Sequence, residues 1–235
     1  MLLFYIRHGE PVYEPDGLTS LGKKQAEALS KRLALYGLDE IYASSSQRAI
    51  DTATPTAELV HKDIKILDWC NENIAWQELV VKYPDGRKDW LYRDEEVCKK
   101  FNSEKVYTLG EKWYEEFENP LYKSGILRIR RETFAFLKTL GYEYDEKKRL
   151  YRAIQPNGKR IALFAHEGFG MAFLSAVLGI PYPLFCTHFE IEHSCMTVIR
   201  FQGEGNVIPK ILQHSNDSHL YKEGLPTKYN GESYF

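Results

Sequence analysis

The sequence predicts an α/β fold: a three-layer sandwich with a mostly parallel central sheet flanked by helices, plus a mainly helical cap insertion. Three observations lead there. Short apolar runs at 2–6, 40–43, 64–67 and 161–165 are separated by stretches with helical spacing, the pattern of βαβ units. Two of those runs end alike, in Arg7-His8-Gly9 and in His166-Glu167-Gly168. Between about 73 and 155 the alternation stops, and Trp, Tyr, Lys and Glu dominate.

Taken in order, Leu2-Leu3-Phe4-Tyr5-Ile6 is apolar throughout and reads as an interior strand, which Gly9 ends sharply. A polar turn over 9–17 leads to Thr19, a suitable N-cap. Leu21, Gln25, Ala28, Leu29 and Leu33 then fall on one helical face, and Gly37 stops that helix. The run 40–43 is a second strand. One of Ser44, Ser45 and Ser46 caps the next helix, which carries Ile50, Ala53, Ala57 and Val60. The run 64–67 is a third strand. Within 73–155, residues 111–117 and 128–140 have amphipathic helical spacing, and the stretch reads as a cap packed over the core. Strand 161–165 and helix 169–178, stopped at Gly179, resume the core pattern. Residues 197–201 and 207–212 read as a closing hairpin over Gly203-Glu204-Gly205. The expected organisation is one domain over 1–235, with 73–155 inserted in it. Residues 223–235 read as a tail.

The 235 residues are 43% hydrophobic and 14% aromatic, enough for one sizeable core. A formal net charge of −2 offers no general attraction to nucleic acid or to an anionic membrane, so neither is expected as a partner. No apolar run approaches the roughly 18 residues of a membrane span. The N-terminus shows no basic segment followed by a small-residue cleavage site, and Cys70, Cys98, Cys186 and Cys195 are scattered. Reduced thiols and a cytoplasmic protein are therefore expected.

Parallel strands deliver their carboxyl ends to one edge of a sheet, where ligands bind in open α/β folds. That edge would gather Arg7 and His8 from the first strand, Arg48 from the helix after the second, and His166 from the fourth. The third strand runs into Asp68-Trp69-Cys70-Asn71-Glu72, which adds a carboxylate, Glu72 or Asp68. Guanidinium groups match phosphate oxygens in a planar fork, and a helix N-terminus adds its positive dipole. A histidine kept neutral by neighbouring positive charge is a nucleophile toward phosphorus. A carboxylic acid can protonate the departing alkoxide and afterwards deprotonate water.

Four ordered blocks then carry a resemblance. They are Arg7-His8-Gly9-Glu10, residues 18–26 (Leu-Thr-Ser-Leu-Gly-Lys-Lys-Gln-Ala), residues 41–53 (from Ile41 through Ser44-Ser45-Ser46-Gln47-Arg48 to Ala53), and Ala165-His166-Glu167-Gly168. In these the chain resembles the histidine phosphatase superfamily, the phosphoglycerate-mutase-like fold, over roughly the first 72 residues and those after about 160. The resemblance implies His8 as nucleophile, and Arg7, Arg48 and His166 as the phosphate pocket, with Ser44 a further lining residue. It also implies a carboxylic acid from the segment after the third strand, best matched by Glu72, whose arm reaches further than that of Asp68. Two departures stand out. Glu14 occupies the place, six residues after the nucleophile, where many relatives carry Asn. The usual Leu-x-Glu spacing is replaced by Leu67-Asp68-Trp69, with Glu72 three residues further on.

Other polar clusters have simpler readings. Cys186, His188, His193 and Cys195 have the residue types of a zinc site, but the pairs are too closely spaced for the usual closed geometry, and no metal is expected. Arg87, Lys88 and Arg93 read as a solvated face. His214, Asp217 and His219 read as structural or solvated, and Glu167 either as a group that orients the pocket or as an N-terminal helix charge. The expected activity is a metal-independent phosphatase, without cofactor, that hydrolyses a small phosphorylated metabolite through phosphohistidine on His8. The alternatives are a cofactor-dependent phosphoglycerate mutase, against which the Glu14 loop weighs, and a non-catalytic phosphate-binding domain. The sequence carries no signal for oligomeric state.

Overall fold

A computed structural model describes residues 1–229 together with 232–233; the predicted tail over 223–235 thus runs partly outside the described residues. In chain order, β1 (Leu2–Arg7) leads into the hairpin β2 (Pro11–Tyr13) and β3 (Asp16–Leu18), then α1 (Ser20–Tyr36), β4 (Glu40–Ser44), α2 (Gln47–Val60) and β5 (Ile64–Leu67). After a 3₁₀ turn at Asp68–Cys70 come α3 (Glu72–Glu78), the hairpin β6 (Val80–Lys82) and β7 (Lys88–Trp90), and a second 3₁₀ turn at Leu91–Arg93. Helices α4 (Glu95–Phe101) and α5 (Glu104–Leu109), a 3₁₀ segment at Gly110–Glu116 and α6 (Pro120–Thr139) follow. Strands β8 (Tyr142–Asp145), β9 (Leu150–Ala153) and β10 (Arg160–Ala165) precede α7 (Glu167–Leu178) and α8 (Tyr182–Cys186). The remainder comprises β11 (Met196–Arg200), β12 (Gly205–Val207), β13 (Lys210–Asn216), α9 (Ser218–Lys222) and the short pair β14 (Lys228–Tyr229) and β15 (Glu232–Ser233).

The central sheet has the order β13-β11-β1-β10-β4-β5. Strands β1, β10, β4 and β5 are parallel, and β11 and β13 are antiparallel. Strand β1 shows why the sheet needs two helical layers. Its side chains alternate between faces, and both sets are buried. Phe4 and Ile6 join Leu29 and Leu33 of α1 and Ala53 of α2 on one side. Leu3 and Tyr5 join Ile129 and Leu137 of α6 and Phe169 and Phe173 of α7 on the other.

Local signals place the first helices. The Thr19 hydroxyl accepts the Gly22 N–H at 3.0 Å, and Gly37 closes α1 at φ 67°. Ser46 is the N-cap residue of α2, although its side chain makes no capping bond. Two other expectations change. Residues 111–117 lie mostly in the 3₁₀ segment, and the predicted closing hairpin is divided. Strand β11 pairs with β13, whereas β12 pairs with β9 in a separate three-stranded sheet. Period-2 patterning identifies a strand but carries no information about its partner. Among the described residues no helix is long and apolar enough to cross a membrane.

Candidate active site

The carboxyl ends of β1, β4 and β10 meet at one edge of the sheet, and α2 and α7 start there. His8 follows β1, its N–H bonded to the carbonyl of Ala165 at 3.0 Å. Its Nδ1 lies 2.7 Å from its neighbour's carbonyl, Gly9 O, so Nδ1 carries the proton and Nε2 is left as the nitrogen for chemistry. The Gly9 loop presses against α1 so closely that a Cβ at Gly9 would stand 2.7 Å from the Gly22 carbonyl oxygen. The ring of His8 is 1% exposed. Burial, followed by the charges of His166, Arg7 and Arg48, holds its pKa well below the ordinary histidine range.

Both arginines are almost fully buried. Arg7 Nη1 donates to Ile191 O at 2.6 Å and pairs with Glu167 Oε2 at 3.0 Å, while Nη2 lies 2.9 Å from His193 Nε2. Arg48, in the first turn of α2, pairs with Asp16 through Nη1 at 2.7 Å and with Glu72 Oε2 through Nη2 at 3.2 Å. The Tyr13 ring centroid lies 5.4 Å from its guanidinium carbon. The Nε atoms of Arg7 and Arg48 are buried without partners, and such donors suit a phosphate.

Glu72 begins α3. Its Oε1 accepts the Gly168 N–H at 2.9 Å, and Oε2 lies 3.5 Å from His166 Nδ1. Burial raises its pKa against the pull of Arg48 and Arg7, the shift a general acid needs. Asp68, the other candidate, is exposed one turn earlier. His166 is fully buried, and its Nε2 lies 2.8 Å from Ser44 Oγ. Burial and both arginines lower its pKa strongly. Ser44 is fully buried beside His166, and neither residue lines the two cavities over His8 and Arg48.

A cavity of about 570 Å³ opens over His8, lined also by Arg7, Tyr13, Glu72, Trp90 and Glu167 among others. A second, of about 320 Å³, adjoins it over Arg48 and Trp76 and shares Tyr13, Glu72, Trp90 and Arg93. Trp76, Trp90, Tyr92 and Arg93 come from the 73–155 stretch. His8, Glu72 and His166 each bring a ligand atom within 4.8 Å of the others, close enough to hold a metal ion. Two guanidinium groups buried beside them favour an anion there instead.

Several placements differ from the sequence reading. Arg93 reaches the cavity, whereas Arg87 and Lys88 stay exposed on the β6–β7 hairpin. His193, read only as a possible zinc ligand, lies against Arg7 at the cavity wall; Cys186 and Cys195 are buried thiols, and the four residues form no metal-ligand group among the described residues. Glu167, which the sequence leaves open between a pocket role and a helix charge, is buried in the site as the ion-pair partner of Arg7 and Arg93. Asp16 and Tyr13 carried no sequence signal, because their roles depend on where a short hairpin folds back. Glu14 is exposed at the tip of that hairpin.

Comparison with known proteins identifies relatives of this fold. The histidine phosphatase superfamily (branch 1) matches residues 3–120. Phosphoserine phosphatase 1 of Hydrogenobacter thermophilus is 30% identical over 113 residues, covering 40% of this chain and 53% of that protein, so the match spans about half the length of this curated relative. Among solved structures, a mutant phosphoserine phosphatase from Entamoeba histolytica in complex with phosphoserine superposes with a TM-score of 0.61 at 18% identity, covering 93% of this chain and 98% of that one. A mycobacterial glucosyl-3-phosphoglycerate phosphatase complexed with VO3 gives 0.55 at 17%, covering 90% and 97%. The alpha-ribazole phosphatase of Shigella flexneri gives 0.57 at 19%, covering 92% and 97%. These structures share the fold, and the family match over 3–120, which holds the first three of the four motif blocks, carries the assignment: the chain belongs to the histidine phosphatase superfamily.

Proposed function

We propose that the chain is a metal-independent phosphatase acting on a small phosphorylated metabolite through a phosphohistidine on His8. The observation that carries this reading is the orientation of His8. With Nδ1 committed to Gly9 O, the unprotonated Nε2 is available under the cavity, between two buried arginines and next to a carboxyl group. In the first half-reaction Nε2 attacks phosphorus, the P–O bond to the leaving group breaks, and Glu72 gives its proton to the departing alkoxide. In the second, Glu72 takes a proton from water, the hydroxide attacks phosphorus, and the P–N bond breaks to release inorganic phosphate and neutral His8. Arg7, Arg48 and His166 hold the phosphoryl oxygens, whose negative charge needs positioned donors more than covalent help. Residues 73–155 act as the cap that shapes the leaving-group side. Phosphoserine and glucosyl-3-phosphoglycerate phosphatases among the relatives support a small substrate, and the free cysteines support the cytoplasm as its location.

The test is hydrolysis of p-nitrophenyl phosphate in EDTA by the native protein and by His8→Ala. Activity that resists chelation and disappears in the variant is expected. An acid-labile, base-stable phosphoryl label on the native protein during turnover is the second expected result. Activity that survives His8→Ala would rule out the histidine route.

A further inference from the structure

Arg7 is held by a short turn before β11 that takes no part in the reaction written above. The main-chain N–H of Arg7 donates to Cys195 O at 3.2 Å and Nη1 donates to Ile191 O at 2.6 Å, while Nη2 lies 2.9 Å from His193 Nε2. The same turn receives His8, whose carbonyl accepts the Ser194 N–H at 3.0 Å. Ser194 has a left-handed φ of 58° and a fully buried side chain, with Oγ 3.0 Å from His219 Nε2. A residue other than glycine keeps such a φ only where its surroundings impose it. His193 is therefore presented to Arg7 by a backbone that is fixed on both sides.

The contact decides where the proton of His193 sits. A guanidinium group donates and never accepts, so Nε2 meets Nη2 with its lone pair, and Nδ1 carries the ring proton. The imidazole is neutral in that arrangement, which suits the place. Arg7 already has one carboxylate, Glu167 at 3.0 Å. A second anionic acceptor would cancel charge that a phosphate has to meet, whereas a neutral nitrogen fixes the guanidinium and leaves its charge intact. With Nη1 turned to Ile191 and Glu167 and one N–H of Nη2 given to His193, two donors remain. They are the second N–H of Nη2 and the Nε–H, which is buried without a partner. Nε and Nη2 form one edge of the group, and an edge with two N–H donors can meet two phosphate oxygens at once.

We propose that His193 is a positioning residue for Arg7: as a neutral acceptor it turns the guanidinium so that the edge formed by Nε and Nη2 faces the phosphoryl group. This rests on the placing of Arg7 in the phosphate pocket and deepens it by a side chain that the reaction scheme does not use. The ring of His193 lines the cavity with His8, their centroids 5.6 Å apart, so the bond lies beside the nucleophile.

The experiment uses the full chain in EDTA. Dissociation constants of inorganic phosphate are measured by calorimetry, and kcat/KM with p-nitrophenyl phosphate, for the native protein, His193→Ala, His193→Gln and His193→Glu. The side-chain oxygen of Gln reaches about as far as Nε2 and accepts without charge; that of Glu reaches equally far with charge. His193→Ala is expected to weaken phosphate binding and to lower kcat/KM about tenfold each, the worth of one hydrogen bond to a charged group, and His193→Gln to restore both to within about threefold of native. His193→Glu should do no better than His193→Ala. A long-range proton–nitrogen NMR spectrum of the native protein should place the ring proton of His193 on Nδ1. Native phosphate affinity in a folded His193→Ala overturns the inference, as does a ring proton on Nε2. Equal phosphate affinity in His193→Gln and His193→Glu overturns it as well, and this comparison and the spectrum decide if His193→Ala does not fold. Any of these results with turnover retained leaves the phosphatase reading intact. The expected phosphate affinities without turnover of any ester uphold the inference and overturn that reading alone.

Discussion

Glu72 Oε1 accepts the backbone N–H of Gly168 at 2.9 Å. This bond ties the start of α3 to the first turn of α7, two residues after His166. It positions the carboxyl group at the cavity wall while leaving Oε2 between Arg48 and His166. Gly168 must stay bare for this contact, because a Cβ there would run into the Trp90 ring.

Replacing Glu72 by Gln should therefore separate substrates by leaving group. Turnover of an alkyl phosphate is expected to fall by about 10²–10⁴-fold, the usual worth of a positioned proton donor. The kcat/KM of p-nitrophenyl phosphate, which reports the first half-reaction only, should fall much less, because p-nitrophenolate departs unprotonated. Burial raises the pKa of Glu72, so the protonated form persists above the ordinary carboxylate range. The native rate on an alkyl ester should drop as pH rises through that raised value, and the drop should be missing in Glu72→Gln. Equal losses of kcat/KM on both esters would contradict the acid role.

Ser44→Ala should act through His166. The Ser44 Oγ to His166 Nε2 contact of 2.8 Å is buried at both ends, so truncation leaves a ring nitrogen without its partner. A stability loss of about 1–3 kcal/mol is expected in urea unfolding, with kcat/KM lowered about tenfold as the ring loses its fixed orientation. Unchanged kinetics would show that His166 is held by its backbone alone.

At Gly22 two general rules oppose each other. It lies inside α1, where alanine is ordinarily better by about 1 kcal/mol. A Cβ there, however, would fall far inside contact with the Glu10 carbonyl oxygen. The contact should win, so Gly22→Ala should lose about 1–3 kcal/mol of unfolding free energy. It should also lower kcat by displacing the His8 loop. A stabilised variant would mean that α1 and the loop separate easily.

Acidification should destabilise the protein through its buried histidines. His219, 2% exposed with Nε2 at 3.0 Å from Ser194 Oγ, has its pKa lowered to about 4 by burial and by Arg32. The unfolded chain takes up that proton near pH 6.5, and the native state only near pH 4. Stability is thus complete above about pH 6.5 and falls between there and about pH 4, by roughly 3 kcal/mol for this residue. His8 and His166 are lowered in the same direction. Urea midpoints measured from about pH 7.5 to about pH 4.5 should show the decline, and His219→Gln should lessen it. Parallel curves for the two proteins would exclude His219 as a contributor.

What could be read from the chain follows from where the information lies. The sheet strands, the Thr19 cap and the Gly37 stop depend on local sequence: burial sets the apolar runs, and left-handed backbone favours glycine. The motif blocks placed Arg7, His8, Arg48 and His166 at one sheet edge because parallel topology sends strand ends to a common side, while the segment after β5 offered both Asp68 and Glu72, with the longer arm of Glu72 favoured. Other features depend on residues far apart in the chain. Glu167 became the partner of Arg7 and Arg93 only once α7 met the 3₁₀ turn at Leu91–Arg93. Asp16 and Tyr13 reached Arg48 because the β2–β3 hairpin folds onto the start of α2. The separation of β12 from β13 likewise depended on β9 being present to pair with it. Local sequence thus determined the elements and the residues delivered at their ends. Tertiary packing alone decided which carboxylate faces which arginine, because desolvation and pairing are properties of the assembled cavity and of no single segment.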